Sequence, residues 1–253
     1  MQECRYENSM NTSTLQFLRK WWSLALLFTC LTAGKALGQE LKIQNKPYID
    51  LRKFHYGFMI GLHNESLRLK NNGLIDPETG NQWLASNNRF DPGFTVGILG
   101  EWRLHKHFGL RILPTMHFGT KHVAFRNQKT DERVFQDVKS TYISFPFDVK
   151  VSAPRFNNYR PYFMAGVNLM YDLTTKNDQY IKLKPFNSFF EIVFGCDYYL
   201  PFFKLIPELK FCFGLNNILE KNRKDLQDKT KEIFTRSIDN ARTNMIVLTL
   251  YFE

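Results

Sequence analysis

Apolar residues alternate with polar or small ones in eight separate runs along this chain. In "FHYGFMIGLH", Phe54, Tyr56, Phe58, Ile60 and Leu62 share one parity, and His55, Gly57, Met59, Gly61 and His63 share the other. "PGFTVGILGEWRL", "FGLRILPTMHFGTK", "STYISFPFDVKV" and "RPYFMAGVNLMYDL" repeat the pattern, as do "FFEIVFGCDYYL", "PELKFCFGL" and "NMIVLTLYFE". A period of two sends successive side chains to opposite faces of a β-strand. Runs of about ten residues are long enough for a tilted strand to cross a bilayer.

The connections alternate in length. Those near residues 105–107, 153–158 and 201–205 are short, whereas those near 70–91, 126–139, 174–187 and 216–241 are long and polar. In the last of these, "KDLQDKTKEIFTRSIDNA" has helical spacing at Leu226, Ile233, Phe234 and Ile238. Short turns at one end, long loops at the other and an even strand number are the marks of a membrane barrel. The pattern predicts an all-β fold, an eight-stranded antiparallel transmembrane β-barrel with short periplasmic turns and long extracellular loops.

A soluble barrel alternates too, with its apolar face inward. The glycines choose between the two. Nine of the fourteen, Gly57, Gly61, Gly93, Gly97, Gly109, Gly119, Gly166, Gly195 and Gly214, fall on the polar face, and only Gly100 falls on the apolar one. Glycine weakens a strand, so a solvated face has no use for it. The crowded lumen of an eight-stranded barrel does, because it is only wide enough for side chains to fill. The polar, glycine-bearing face is therefore expected inside, with the Phe, Ile and Leu face against lipid.

Composition agrees. Mean hydropathy is −0.35, and no apolar run long enough for a membrane helix follows the first forty residues. At the N-terminus, Arg19 and Lys20 precede the apolar "WWSLALLFTCLTA", and "GKALGQE" offers small residues before a cut at Gly38/Gln39. That is the layout of a secretory signal peptide over 1–38, leaving a barrel domain over 39–253. Its removal lowers the net charge from +10 to +8, because four basic and two acidic residues go with it. The remaining basic residues form no single stripe, so neither nucleic acid nor a small-molecule substrate is expected as a partner, and outer-membrane lipid is. Cys196 and Cys212 lie on opposite faces of their strands, which disfavours a disulfide between them.

The inward face collects Glu101, Arg103, Arg111, Asp148, Lys150, Arg160, Asp172, Glu191, Asp197, Glu208 and Lys210, with His117 and Lys121 beside them. Near-balanced charge in a narrow lumen predicts mutual neutralisation, since an unpaired buried charge is costly. Ser144, His117 and Asp148 share this face and are the residues a rim enzyme would use, although their spacing matches no hydrolase motif. His105 and His107 flank a short turn, where solvation is a simpler reading than metal binding. No catalytic, cofactor or metal site is expected. Trp83, Phe135, Tyr180 and Phe234 stand out as aromatic anchors in polar loops, either packing the loops together or presenting a partner-binding surface.

Several blocks resemble a known family. "FHYGF", "DPGFTVGI", "LRILPTMHFGTKHVAF", "STYISFPFDVK", "NNYRPYFMAGV" and above all "FGCDYYLPFFKLIPELKFCFGL" are similar to the PorT (SprT) family of Bacteroidetes, across about residues 50–253. The resemblance implies a non-enzymatic integral outer-membrane barrel required for protein export by the type IX secretion system, and for gliding where that occurs. Other components of that system are the implied partners. The family supplies no catalytic residues to carry over. A passive small porin or adhesin, or a barrel enzyme acting on lipid or protein, are the alternatives.

Overall fold

The alternating runs fold as ten antiparallel strands arranged as a ring of eight staves. A computed structural model describes residues 44–76, 80–87, 90–174, 179–224, 226, 228 and 231–253. The expected signal peptide and its cleavage position lie outside the described residues. The strands are β1 (Phe54–Asn71), β2 (Trp83–Ser86), β3 (Pro92–Arg103), β4 (Phe108–Ile112), β5 (Thr115–Asn127), β6 (Arg133–Ser152), β7 (Tyr159–Asp172), β8 (Phe186–Tyr199), β9 (Lys204–Gly214) and β10 (Ile238–Phe252). β1 closes the ring by pairing with β10 on one side (Leu62↔Leu248) and with β3 on the other (Phe58↔Ile98).

Eight uninterrupted strands were expected, and two staves are instead broken. β4 and β5 both pair with β6 and are separated at Leu113 and Pro114. The break falls at Pro114, which has no N–H to give the ladder, although Pro146, Pro161 and Pro207 lie within β6, β7 and β9 without breaking them. β2 pairs with β5 above the point where β3 begins, and Asn71 ties it to β1 by hydrogen bonds of 2.9 and 3.0 Å to the Ala85 backbone. The expected long loop near 126–139 is also mostly strand, because β5 and β6 run on past the membrane belt to a tight turn after Asn127. In the last connection, Glu232–Arg236 is an α-helix (α1) among the described residues, and Ile238 already begins β10.

Burial follows the predicted orientation. Phe58, Leu62, Ile98, Phe194, Leu209 and Leu248 are exposed on the outer wall, while Glu101, Arg111, Asp148, Glu191 and Glu208 are buried inside. Toward the loop end the chemistry reverses without a change of period. On β1 the outward residues become Ser66, Arg68 and Lys70, and the inward Leu67 is buried. Leu67, Val123, Phe125, Ile181, Leu183, Leu219, Ile238 and Ala241 then form a hydrophobic cluster across that end. The wall has left the lipid there and has water outside, so apolar groups turn inward as in a soluble barrel.

The inward glycines make close approaches that a side chain would block. A Cβ at Gly166 would lie 2.1 Å from the Phe147 carbonyl oxygen and 2.2 Å from Asp148 Oδ1. Gly166→Val is therefore expected to lower the fraction of protein that reaches the folded, heat-modifiable form on electrophoresis. Gly100→Ala, whose nearest neighbour would be 3.5 Å away on the outer wall, should fold normally.

Candidate functional site: the ion-paired lumen

Inward parity on eight staves brings charges from distant parts of the chain within bonding distance. Arg111 on β4 is at the centre. Its Nε and Nη2 donate to Glu101 Oε2 at 3.0 and 2.6 Å, and its Nη1 donates to Glu208 on the far wall. Tyr162 donates its hydroxyl to the same Glu208 oxygen. Lys150 bridges Glu101 at 3.1 Å and Asp197 at 3.3 Å. The cations also stack on rings: Arg111 lies 5.2 Å from the centroid of Tyr162 and 5.5 Å from that of Tyr251, and Lys150 lies 4.0 Å from Tyr162. Such contacts strengthen when desolvated.

Above this centre, Lys210 faces Glu191 at 3.9 Å, and Glu191 accepts a hydrogen bond from Asn168. Nearer the loop end, Lys121 pairs with Glu65 at 2.9 Å and donates to the Tyr142 hydroxyl. At the short-turn end, Asp50 receives Arg103 at 3.3 Å, Arg155 and Arg160 at 3.5 Å, and the Tyr199 hydroxyl at 2.8 Å. Asp50 belongs to a single 3-10 turn, Ile49–Leu51. The segment before it is held there too, since Asn45 donates to the Tyr199 carbonyl and Arg155 donates to the carbonyls of Asn45 and Lys46. Lys204 and His55 meet at Glu253.

The eleven expected interior charges thus divide. Glu101, Arg111, Lys150, Asp197 and Glu208 form one connected network, and Glu191 with Lys210 form a second group. Arg103 and Arg160 are drawn to Asp50 at the short-turn end. Asp172 is capped locally by the backbone N–H and hydroxyl of Thr174, both at 2.8 Å. Asp148 is buried in register with Arg111, and neither of its oxygens has a hydrogen-bond partner among the described residues. Asp50, Glu65, Lys204, Glu253 and the tyrosines were missed. Glu65 could have been found by extending the parity of His55 and His63 by one more step.

Ser144 and His117 do come together, with Oγ and Nε2 3.1 Å apart. The other imidazole nitrogen meets Thr95 Oγ1 at 2.9 Å, and Thr95 in turn meets His63 Nδ1 at 2.8 Å. A hydroxyl therefore occupies the place where a triad needs its carboxylate, and Asp148 takes no part in this chain. All four side chains are buried. The cavity beside His117, Glu191, Lys210 and Cys212 measures about 10 Å³, room for about one water. At the turn, His107 Nδ1 lies 3.0 Å from the Ser152 carbonyl oxygen, the contact of a ring N–H donating to backbone. Cys196 is half-buried on the wall, Cys212 is buried, and both are free thiols.

Of the loop anchors, Trp83, Tyr180 and Phe234 pack on one another. Phe234 lies 4.8 Å from Trp83 and 4.9 Å from Tyr180, centroid to centroid. They close the loop-end cluster and are not presented outward as a partner surface would require. Phe135 differs, being 68% exposed.

A lipid-facing ring of strands around a charge-compensated lumen defines an integral outer-membrane barrel. The chain belongs to the outer membrane protein beta-barrel domain family, whose model matches residues 41–220. Solved structures of similar fold include OprG from Pseudomonas aeruginosa (12% identity, 79% of this chain and 92% of that one, TM-score 0.43). Neisserial surface protein A (12%, 79% and 98%, 0.37) and AlkL (12%, 84% and 94%, 0.35) are others. No curated protein matches this chain.

Proposed function

We propose that this protein is a non-enzymatic, non-conducting barrel subunit or assembly factor of the type IX secretion apparatus in the outer membrane of a Bacteroidetes bacterium. The observation that carries the non-conducting part is the filled lumen. Arg111 spans from Glu101 to Glu208 across the barrel, and the cavity beside His117, Glu191 and Lys210 has room for about one water. A barrel filled in this way acts through its outer surfaces, by holding other chains in place. The secretion role rests on the resemblance of "FGCDYYLPFFKLIPELKFCFGL" and its companion blocks to the PorT family. Its partners are then other components of that apparatus, and the exposed Phe135 on β6 is a candidate point of contact.

Deleting the gene tests the role. Cargo bearing the C-terminal sorting domain should accumulate in the periplasm and return to the surface on complementation. Normal surface delivery in the deletion strain would refute it. In planar bilayers the purified barrel should give no stable conductance, and steady channel steps would instead favour a porin.

A further inference from the structure

On the outer wall, Arg68 of β1 and Arg242 of β10 stand directly opposite each other, both exposed. Like charges in this position repel. The only other cross-strand arginine pair among the described residues, Arg126 and Arg133, has Asp131 2.5 Å from Arg126 Nε. No carboxylate pairs with Arg68 or Arg242 among the described residues. Nearby, Lys70 and Lys221 share the single carboxylate of Asp239, at 3.9 and 3.6 Å. The patch therefore carries four cations against one anion. Arg68 is also braced: its Nε donates to the Asn244 side-chain oxygen at 3.2 Å in the amide orientation that satisfies both ends of that group. The bracing holds the guanidinium in place.

Position supplies the second half of the argument. Arg68, Lys70, Phe213, Asn240, Arg242 and Asn244 line an open hollow of about 380 Å³. Directly below along the same strands, Leu62, Ile246 and Leu248 are exposed in the lipid-facing row, and Phe213 on β9 is exposed beside Asn244. The hollow sits where the outward face changes from apolar to cationic, which is headgroup height at the loop end. In a barrel of this class the loop end faces outward. Arginine forks match phosphate oxygens in bidentate fashion, and an anion between two arginines removes their repulsion.

We propose that this hollow binds the phosphorylated headgroup of an outer-leaflet lipid A, with Arg68 and Arg242 gripping the phosphate and its acyl chains lying along Leu62, Phe213 and Ile246. The site is independent of any secretion role, because its readout is lipid retention by the isolated barrel.

The full mature chain in detergent micelles is titrated with bisphosphorylated lipid A and with the same lipid lacking phosphate, and bound lipid is counted by native mass spectrometry. Wild type should retain the phosphorylated form about tenfold better, by the ordinary strength of two basic contacts to an anionic headgroup. Arg68→Gln/Arg242→Gln should erase that preference while keeping the heat-modifiable gel shift of a folded barrel. Lys139→Gln, an exposed change elsewhere on the wall, should leave it intact. Equal retention of both lipids, or a preference that survives the double substitution, would overturn the proposal. So would abolition of lipid retention by millimolar inorganic phosphate, since that would identify a free-phosphate site.

Discussion

Arg111→Leu is expected to prevent the barrel from folding stably. The guanidinium is fully buried and is the shared partner of Glu101 and Glu208. Without it, Glu101 keeps Lys150, but Glu208, itself buried, is left among the described residues with the Tyr162 hydroxyl as its hydrogen-bond partner. Breaking one side of a buried pair costs about 3–5 kcal/mol, because the surviving charge loses its compensation. Urea titration in lipid vesicles should show that loss, and in cells the protein should be depleted from the outer membrane. Arg111→Leu combined with Glu208→Leu should recover a large part of the stability, since removing both partners leaves no orphaned charge. A double variant no more stable than the single one would mean that Arg111 acts through packing on Tyr162 and Tyr251 rather than through charge.

Leu248→Arg should produce the next largest effect, from the opposite face of the wall. Leu248 is 56% exposed in the outward row of β10, between Ile246 and Leu250 and across from Leu62. A cation there meets hydrocarbon, which costs about 2–4 kcal/mol at mid-membrane depth in barrels of this kind. Ser66→Arg lies on the outward row of β1, beyond the point where that row turns polar, so the same charge should cost close to nothing. The contrast between two arginines on one wall separates the effect of lipid from the effect of size. If water rather than lipid covered the outer wall at both levels, neither substitution would matter.

What could be read in advance follows from where one physical rule governs. In the lipid zone, period-two alternation and nine glycines on one face identify inside and outside, because the lumen excludes bulk and the bilayer excludes charge. The same logic placed Glu101, Arg111, Lys150, Asp197 and Glu208 together, since all five share inward parity. It broke down where the surroundings change. Beyond His63 the strand continues with inverted chemistry, so Arg68 outside and Leu67 inside read as the end of a strand, and Glu65 was lost with them. Pro114 was visible in "ILPT", yet the alternation runs through it and hid the break between β4 and β5. Asp50 lies in a segment without strand pattern, and only the folded ring shows that three arginines converge on it. Trp83, Tyr180 and Phe234 were recognisable as apolar residues in polar loops. That they meet one another depends on the closure of the ring, which no local pattern encodes.

Nitroxide labels placed singly along the outward row of β10, at Leu250, Leu248, Ile246, Asn244 and Arg242, test the orientation of the wall most directly. The labelling is done in vesicles, in a background with Cys196 and Cys212 changed to serine. Collision with oxygen, which concentrates in lipid, should dominate at Leu250, Leu248 and Ile246. Collision with a water-soluble nickel complex should dominate at Arg242, with the crossover near Asn244. Nickel accessibility at Leu248, or no crossover along the row, would contradict a lipid-facing wall that becomes solvent-facing at its loop end.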